Sequence, residues 1–187
     1  MYDAVLQFSK IAEGRSTILN DLNLEPKGYL LATVHRPYNT DNPGKLRNIL
    51  SAFMEIDEPV IFPVHPRTRQ KLTEFGLLDP QSAIRNPKLI DPVGYLDMLV
   101  LEQNARLIFT DSGGIQKEAY FFEVPCITLR PETEWVETVE TGWNVLVGTD
   151  RSQILAQVEN GDMIEAHHPE LFGNAKAAEK ITGHLKS

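Results

Sequence analysis

The sequence predicts an α/β fold with a doubly wound, mostly parallel, Rossmann-like sheet. Short apolar runs alternate with amphipathic stretches almost throughout, the pattern of a parallel sheet covered by helices. The runs are nearly continuous in apolar residues, as strands buried on both faces are. His35, His65, Asp91, Ser112 and Arg130 each follow a candidate strand directly. In such sheets ligands bind beyond the carboxyl ends of the strands, so these five residues are expected on one rim.

Taken in order, residues 3–22 read as one amphipathic lead-in helix with Val5, Phe8, Ala12, Leu19 and Leu22 near one face. A loop follows at residues 24–28. Tyr29-Leu30-Leu31-Ala32-Thr33-Val34 is the first strand and ends at His35-Arg36-Pro37. Residues 39–42 are turn chemistry, and Pro43 opens a helix with Leu46, Ile49, Leu50 and Phe53 on its apolar face. The second strand, residues 59–64, ends at His65-Pro66-Arg67 and leads into a polar helix over residues 68–75. Residues 88–92 form a short strand and loop. Tyr95, Leu96, Leu99 and Val100 then mark a helix, and Asp91 is read as its cap. A strand at residues 126–129 ends at Arg130, and an acidic helix spans residues 132–140. The last strand is residues 144–148, followed by helices around Ile154 and over residues 175–185. Residues 159–174 read as an irregular loop.

The central stretch is Leu107-Ile108-Phe109-Thr110-Asp111-Ser112-Gly113-Gly114-Ile115-Gln116-Lys117-Glu118-Ala119. It reads as a buried strand, a tight turn and the start of a helix. Ser112 is a good N-cap, and Gly113 and Gly114 let a ligand approach the backbone. The helix start presents free N–H groups and a positive dipole end, which suits a phosphate. Glu118, four residues after Gly114, shares its helix face and can accept bonds from a sugar diol. On spacing alone, an ordinary strand-to-helix turn is an equally good reading.

Composition narrows the function. The chain has 187 residues and a net charge of −8, which argues against a general nucleic-acid binder but leaves an anionic small ligand open. Cys126 is the only cysteine, so an intrachain disulfide is excluded, and its apolar setting suits a structural thiol. No apolar run is long enough to cross a bilayer. His167 and His168 lack a third ligand at metal spacing, and neither a metal nor a cofactor is expected. A cytoplasmic protein is the expectation. His35 with Arg36, and His65 with Arg67, are paired candidates for an anion site or proton transfer. Tyr95 and Met98 either wall a flat base or pack into the helix core, packing being the commoner role.

Three segments together resemble the C-terminal half of the non-hydrolysing UDP-N-acetylglucosamine 2-epimerases. They are Thr33-Val34-His35-Arg36-Pro37 with Asn39-Thr40-Asp41, the stretch from Asp111 to Ala119, and Arg130-Pro131-Glu132-Thr133-Glu134-Trp135 with residues 139–144 behind it. The resemblance covers nearly the whole chain. It implies the C-terminal domain of a two-Rossmann-domain, glycosyltransferase-B-like enzyme. Residues 1–24 would be the lead-in helix and interdomain junction, and residues 25–187 the UDP-binding domain. It implies that Ser112, Gly113 and Gly114 hold the diphosphate and Glu118 the ribose, with Met98, Tyr95 and Arg130 completing the UDP site. His35 would be catalytic beside the diphosphate, and Arg36 and His65 would match a second, regulatory sugar-nucleotide site. The family's reaction inverts C2 of the sugar by eliminating UDP and adding it back. Its proton-moving carboxylates belong to an N-terminal domain expected to be absent here, so this chain alone is expected to be inactive. The expected partners are a UDP-sugar substrate and, in the full-length protein, a second copy in a homodimer. Met98 stands where relatives often have an aromatic ring, and Trp135 where many have an arginine. Two other readings stay open: the donor-binding domain of a UDP-sugar glycosyltransferase, and a non-catalytic sugar-nucleotide-binding module.

Overall fold

The computed structural model describes residues 1–77, 86–160, 167–173 and 181–182. Its centre is a six-stranded sheet of β1 (Leu30–Thr33), β2 (Val60–Pro63), β3 (Lys88–Ile90), β4 (Leu107–Thr110), β5 (Cys126–Thr128) and β6 (Asn144–Leu146). The spatial order is β3-β2-β1-β4-β5-β6, and every neighbouring pair is parallel. Strand order reverses between β1 and β4, so the ends of these two strands flank the expected ligand crevice.

The strands are apolar throughout because both faces are covered. Leu30 and Ala32 point into one core with Phe53, Phe62 and Phe109. Tyr29 and Leu31 point into the other with Leu101, Ile108 and Cys126. This is the two-residue alternation of a pleated strand, with a hydrophobic layer waiting on either side. On the first face lie α4 (Pro43–Glu55) and α9 (Arg151–Asn160), which contribute Leu46, Ile49, Phe53 and Ile154 to that core. On the second lie α6 (Tyr95–Asn104) and α7 (Gly113–Phe121). The helix α5 (Pro66–Glu74) follows β2, and the short α8 (Val136–Glu140) precedes β6.

Several expectations change on contact with the structure. The lead-in is two helices, α1 (Tyr2–Glu13) and α2 (Ile18–Leu22), not one. Gly14 caps the first and Thr17 opens the second. Gly, Ser and Thr in residues 14–17 favour helix ends over interiors, and this outweighs the apolar period that runs across them. Phe8, expected near the apolar face, is 41% exposed, while Val5, Ser9 and Ala12 are the buried residues of α1. The turn expected at residues 39–42 is partly helical, as α3 (Pro37–Thr40). Asp91 does not cap α6. Gly94 holds the cap position, and Asp91 pairs with Arg69 at 3.0 Å. The acidic helix is shorter than expected, beginning at Val136. Residues 167–173 carry no helix or strand. The helix expected over residues 175–185 lies outside the described residues except for Ile181 and Thr182, which are helical. No helix of the described residues is long and apolar enough to cross a membrane.

Candidate functional site

β1 and β4 run in register, with Thr33 opposite Thr110 and their hydroxyls 2.7 Å apart. One residue beyond β4, Asp111 is fully buried. Its carboxylate accepts the backbone N–H of His35 at 3.1 Å, that of Arg36 at 3.0 Å and the Asn39 side-chain amide at 3.0 Å. The same amide of Asn39 reaches the Leu129 carbonyl at 2.9 Å. Asp111 thereby ties the ends of β1, β4 and β5 together. A buried carboxylate is tolerable here because several N–H donors surround it. His35 Nδ1 stands 3.6 Å from Asp111 Oδ1, while the ring is 40% exposed. The imidazole therefore has the Asp111 carboxylate beside its inner edge and solvent at its outer edge.

His65 caps α5, accepting the Arg67 backbone N–H on Nδ1, and its ring centroid is 6.4 Å from that of His35. Arg36 is exposed beside them. The Arg67 guanidinium binds Asp41 at 2.7 Å. The histidines thus converge as expected, while the flanking Arg67 is already paired.

Across the crevice α7 begins. Ser112 is its N-cap, but the hydroxyl caps nothing; its backbone N–H goes to Thr110 Oγ1 at 3.0 Å. A Cβ on Gly113 would meet Trp135 Nε1 at 3.2 Å and Glu134 Oε2 at 3.4 Å, a tight fit that these side chains accommodate only by giving a few tenths of an ångström. Gly114 is different: its nearest neighbours, Ser112 Oγ at 3.7 Å and Met1 Cε at 3.9 Å, would accept a methyl. Arg130 does not present a free guanidinium. Both its terminal nitrogens hold Glu134, at 2.9 and 3.0 Å. That fork, with the charge of Arg36 added, lowers the Glu134 carboxyl to about 2.

One turn into α7, Glu118 is 7% exposed and accepts the Tyr95 hydroxyl at 3.0 Å. Tyr95 is itself 47% exposed, so the pair sits at the surface end of a buried seam. Met98 lies deeper and packs with Leu101 and Ile108, which favours its packing role over that of a base wall. Trp135 lies with its ring 4.1 Å from Lys117 Nζ, and Phe172 meets it edge-on. His168 stacks on Tyr120 and bonds its carbonyl, and among the described residues no group of three candidate ligands could hold a metal. Burial pushes the Cys126 thiol up to about 12, as befits a structural residue.

Sequence reasoning passed over Asp111, Asn39 and Glu134. A signal existed for Asp111, a charge at the end of an apolar run. Nothing in the sequence shows that Asn39 would bridge two strand ends.

The family model described as UDP-N-acetylglucosamine 2-epimerase matches residues 1–186. The chain belongs to that family. A UDP-N-acetylglucosamine 2-epimerase homolog of Methanococcus maripaludis is 48% identical over all of this epimerase-family chain and 53% of its own length. A UDP-2,3-diacetamido-2,3-dideoxy-D-glucuronate 2-epimerase of Pseudomonas aeruginosa is 46% identical over 84% of the chain and 44% of its own length. The crystal structure of the Methanocaldococcus jannaschii UDP-GlcNAc 2-epimerase in complex with UDP-GlcNAc and UDP matches with a TM-score of 0.87 at 44% identity, covering 99% of this chain and 52% of that one. The epimerase-family chain therefore spans about half the length of the relatives it matches. Its α/β, Rossmann-like architecture is the one they share over that half.

Proposed function

We propose that this chain is the nucleotide-binding half of a UDP-N-acetylglucosamine 2-epimerase. The observation that carries the reading is the crevice between β1 and β4, where Asp111 holds His35 at the end of one strand and leads through Ser112 into α7, the helix that carries Glu118. The amides and positive dipole end of α7 hold the diphosphate, with the backbone at Gly113 and Gly114 as its seat. Glu118 takes the ribose hydroxyls and Tyr95 fixes its orientation. His35, steadied by Asp111, faces the diphosphate and the glycosidic oxygen, where it stabilises or protonates the leaving UDP. Elimination followed by re-addition needs UDP to stay bound while it is detached, which suits a site with many separate contacts. Arg36 and His65 are left for a second sugar-nucleotide site.

A second reading concerns the sugar alone. The 46%-identical Pseudomonas aeruginosa relative is named for a diacetamido-glucuronate substrate. Both substrates present the same UDP, so the residues above serve either one. The reading carries with it a cytoplasmic setting and a homodimer of the full-length enzyme.

Turnover tests the proposal. The chain alone should invert neither sugar, because catalysis needs groups on both sides of the substrate at reacting distance. Supplied with the N-terminal half of the Methanococcus maripaludis relative, it should convert UDP-GlcNAc or its diacetamido-glucuronate analogue to the C2 epimer, followed by proton NMR in deuterated water. Full turnover by the chain alone would overturn the division of labour.

A further inference from the structure

Glu102 has no part in the site as described. It lies on α6 seven residues after Tyr95, so the two share one helix face two turns apart, with Met98 between them. That face meets α7: the Tyr95 hydroxyl reaches Glu118, and Met98 packs in the cluster that holds Ile115 and Phe122. Glu102 is fully buried, and neither carboxyl oxygen has a partner among the described residues. The titratable groups that interact with its charge are Glu118 from α7, Tyr29 just before β1, Cys126 from β5 and Tyr95 from its own helix. None of them is a cation. Tyr29 has already given its hydroxyl to the Leu101 carbonyl. The nearby Lys27 donates to the carbonyls of Gln103 and Ala105. An unpaired carboxylate in such a place is too costly to persist, so the group keeps its proton.

We propose that Glu102 is a positioning residue for Glu118: a neutral acid buried two turns along the α6 face whose Tyr95 hydroxyl bonds Glu118, which leaves this seam one negative charge and places that charge at the rim on Glu118. The inference rests on the nucleotide reading above. Burial raises the Glu118 carboxyl too, but of the two acids Glu118 is nearer solvent and has the Tyr95 hydroxyl, which holds its charged form against that burial. Burial, and then the charge of Glu118, raise the Glu102 carboxyl well above the usual range. Removing the proton from Glu102 puts a second negative charge into the same buried seam and loosens Glu118 from its place. The effect on stability has a definite sign. The unfolded chain loses this proton near 4.5 and the folded chain holds it to higher pH. Stability from this group is therefore full below that value and declines as pH rises toward the folded titration.

Calorimetric UDP titrations of the wild-type chain and Glu102→Gln, from about pH 6 to about pH 9, test this alongside thermal melts. The groups of UDP titrate alike in both, so the difference between the proteins is the readout. The two should bind equally at the acid end, because the amide copies the neutral acid. Wild type should fall behind by up to about tenfold for each pH unit beyond the Glu102 titration, levelling at the loss that Glu118→Ala gives, and its melting temperature should drop below that of Glu102→Gln as pH rises. Parallel affinity profiles, or a Glu102→Gln affinity already reduced about tenfold at the acid end, would overturn the assignment. So would failure of that isosteric variant to fold. Carbon NMR of the Glu102 carboxyl in the wild type gives a second reading: a protonated shift at neutral pH supports the assignment and an ionised one overturns it. Absence of UDP binding by both proteins would strike the nucleotide reading, whereas binding with parallel profiles strikes only the role of Glu102.

Discussion

Gly113 and Gly114 are adjacent and are glycine for different reasons. At Gly113 a Cβ would press on the Trp135 indole nitrogen at 3.2 Å, whereas at Gly114 a methyl meets only ordinary contacts. Gly113→Ala should therefore lose stability, by about 1–3 kcal/mol for overpacking against a rigid ring, and UDP affinity with it. Gly114→Ala should melt with wild type and lose UDP affinity alone. Denaturant melts and UDP titrations of the pair check this, and equal stability losses at both positions would remove the distinction. At this scale the sequence was legible wherever chemistry is carried by residue type. The places of His35 at a strand end, and of the two glycines and Glu118 in the helix after one, could be read, while their part in binding is the proposal. It was silent on partners. The Arg130 guanidinium is a free charge in the sequence and a closed fork with Glu134 in the fold. The Ser112 hydroxyl has the right identity for a cap and caps nothing.

Elements are joined at the rim by Asp111. Three N–H donors converge on its carboxylate from His35, Arg36 and Asn39, and Asn39 carries the link on to Leu129 beyond β5. Asp111→Ala takes the acceptor from the His35 and Arg36 N–H groups and leaves Asn39 bonded only to Leu129. With about 1–3 kcal/mol for each unsatisfied group, the variant should lose about 3 kcal/mol or more of stability. Asp111→Asn, which keeps one acceptor oxygen, should lose less. Chemical denaturation of the two variants measures the order, and a near-neutral Asp111→Ala would mean the strand ends are held by other contacts. Strands and most helices could be read from the sequence because apolar period and turn residues agree there. The lead-in helix could not. Its apolar positions continue through residues 14–17, and only the local preference of Gly, Ser and Thr for helix ends divides α1 from α2. Asp91 misled for a related reason: it suits a cap by type, but Arg69 lies within reach and takes it.

Across the whole molecule, the order β3-β2-β1-β4-β5-β6 brings distant parts of the chain to one crevice. His35 and Asp111 are 76 residues apart in sequence and in hydrogen-bond contact in the fold. The alternation of strands and helices made a parallel sheet the expectation, and the handed crossovers of such sheets leave few alternatives for strand order. What the sequence could not specify is which strand-end groups remain free for a ligand after neighbouring charges have paired. The central claim is that this crevice grips UDP, and calorimetric titration of the chain with UDP tests it most directly. The account predicts saturable one-to-one binding, weakened by about 1–3 kcal/mol, roughly 5- to 150-fold, in Glu118→Ala through loss of bonds to a charged acceptor. A folded chain that gives no binding heat at millimolar UDP, or a Glu118→Ala variant that binds as well as wild type, would contradict it.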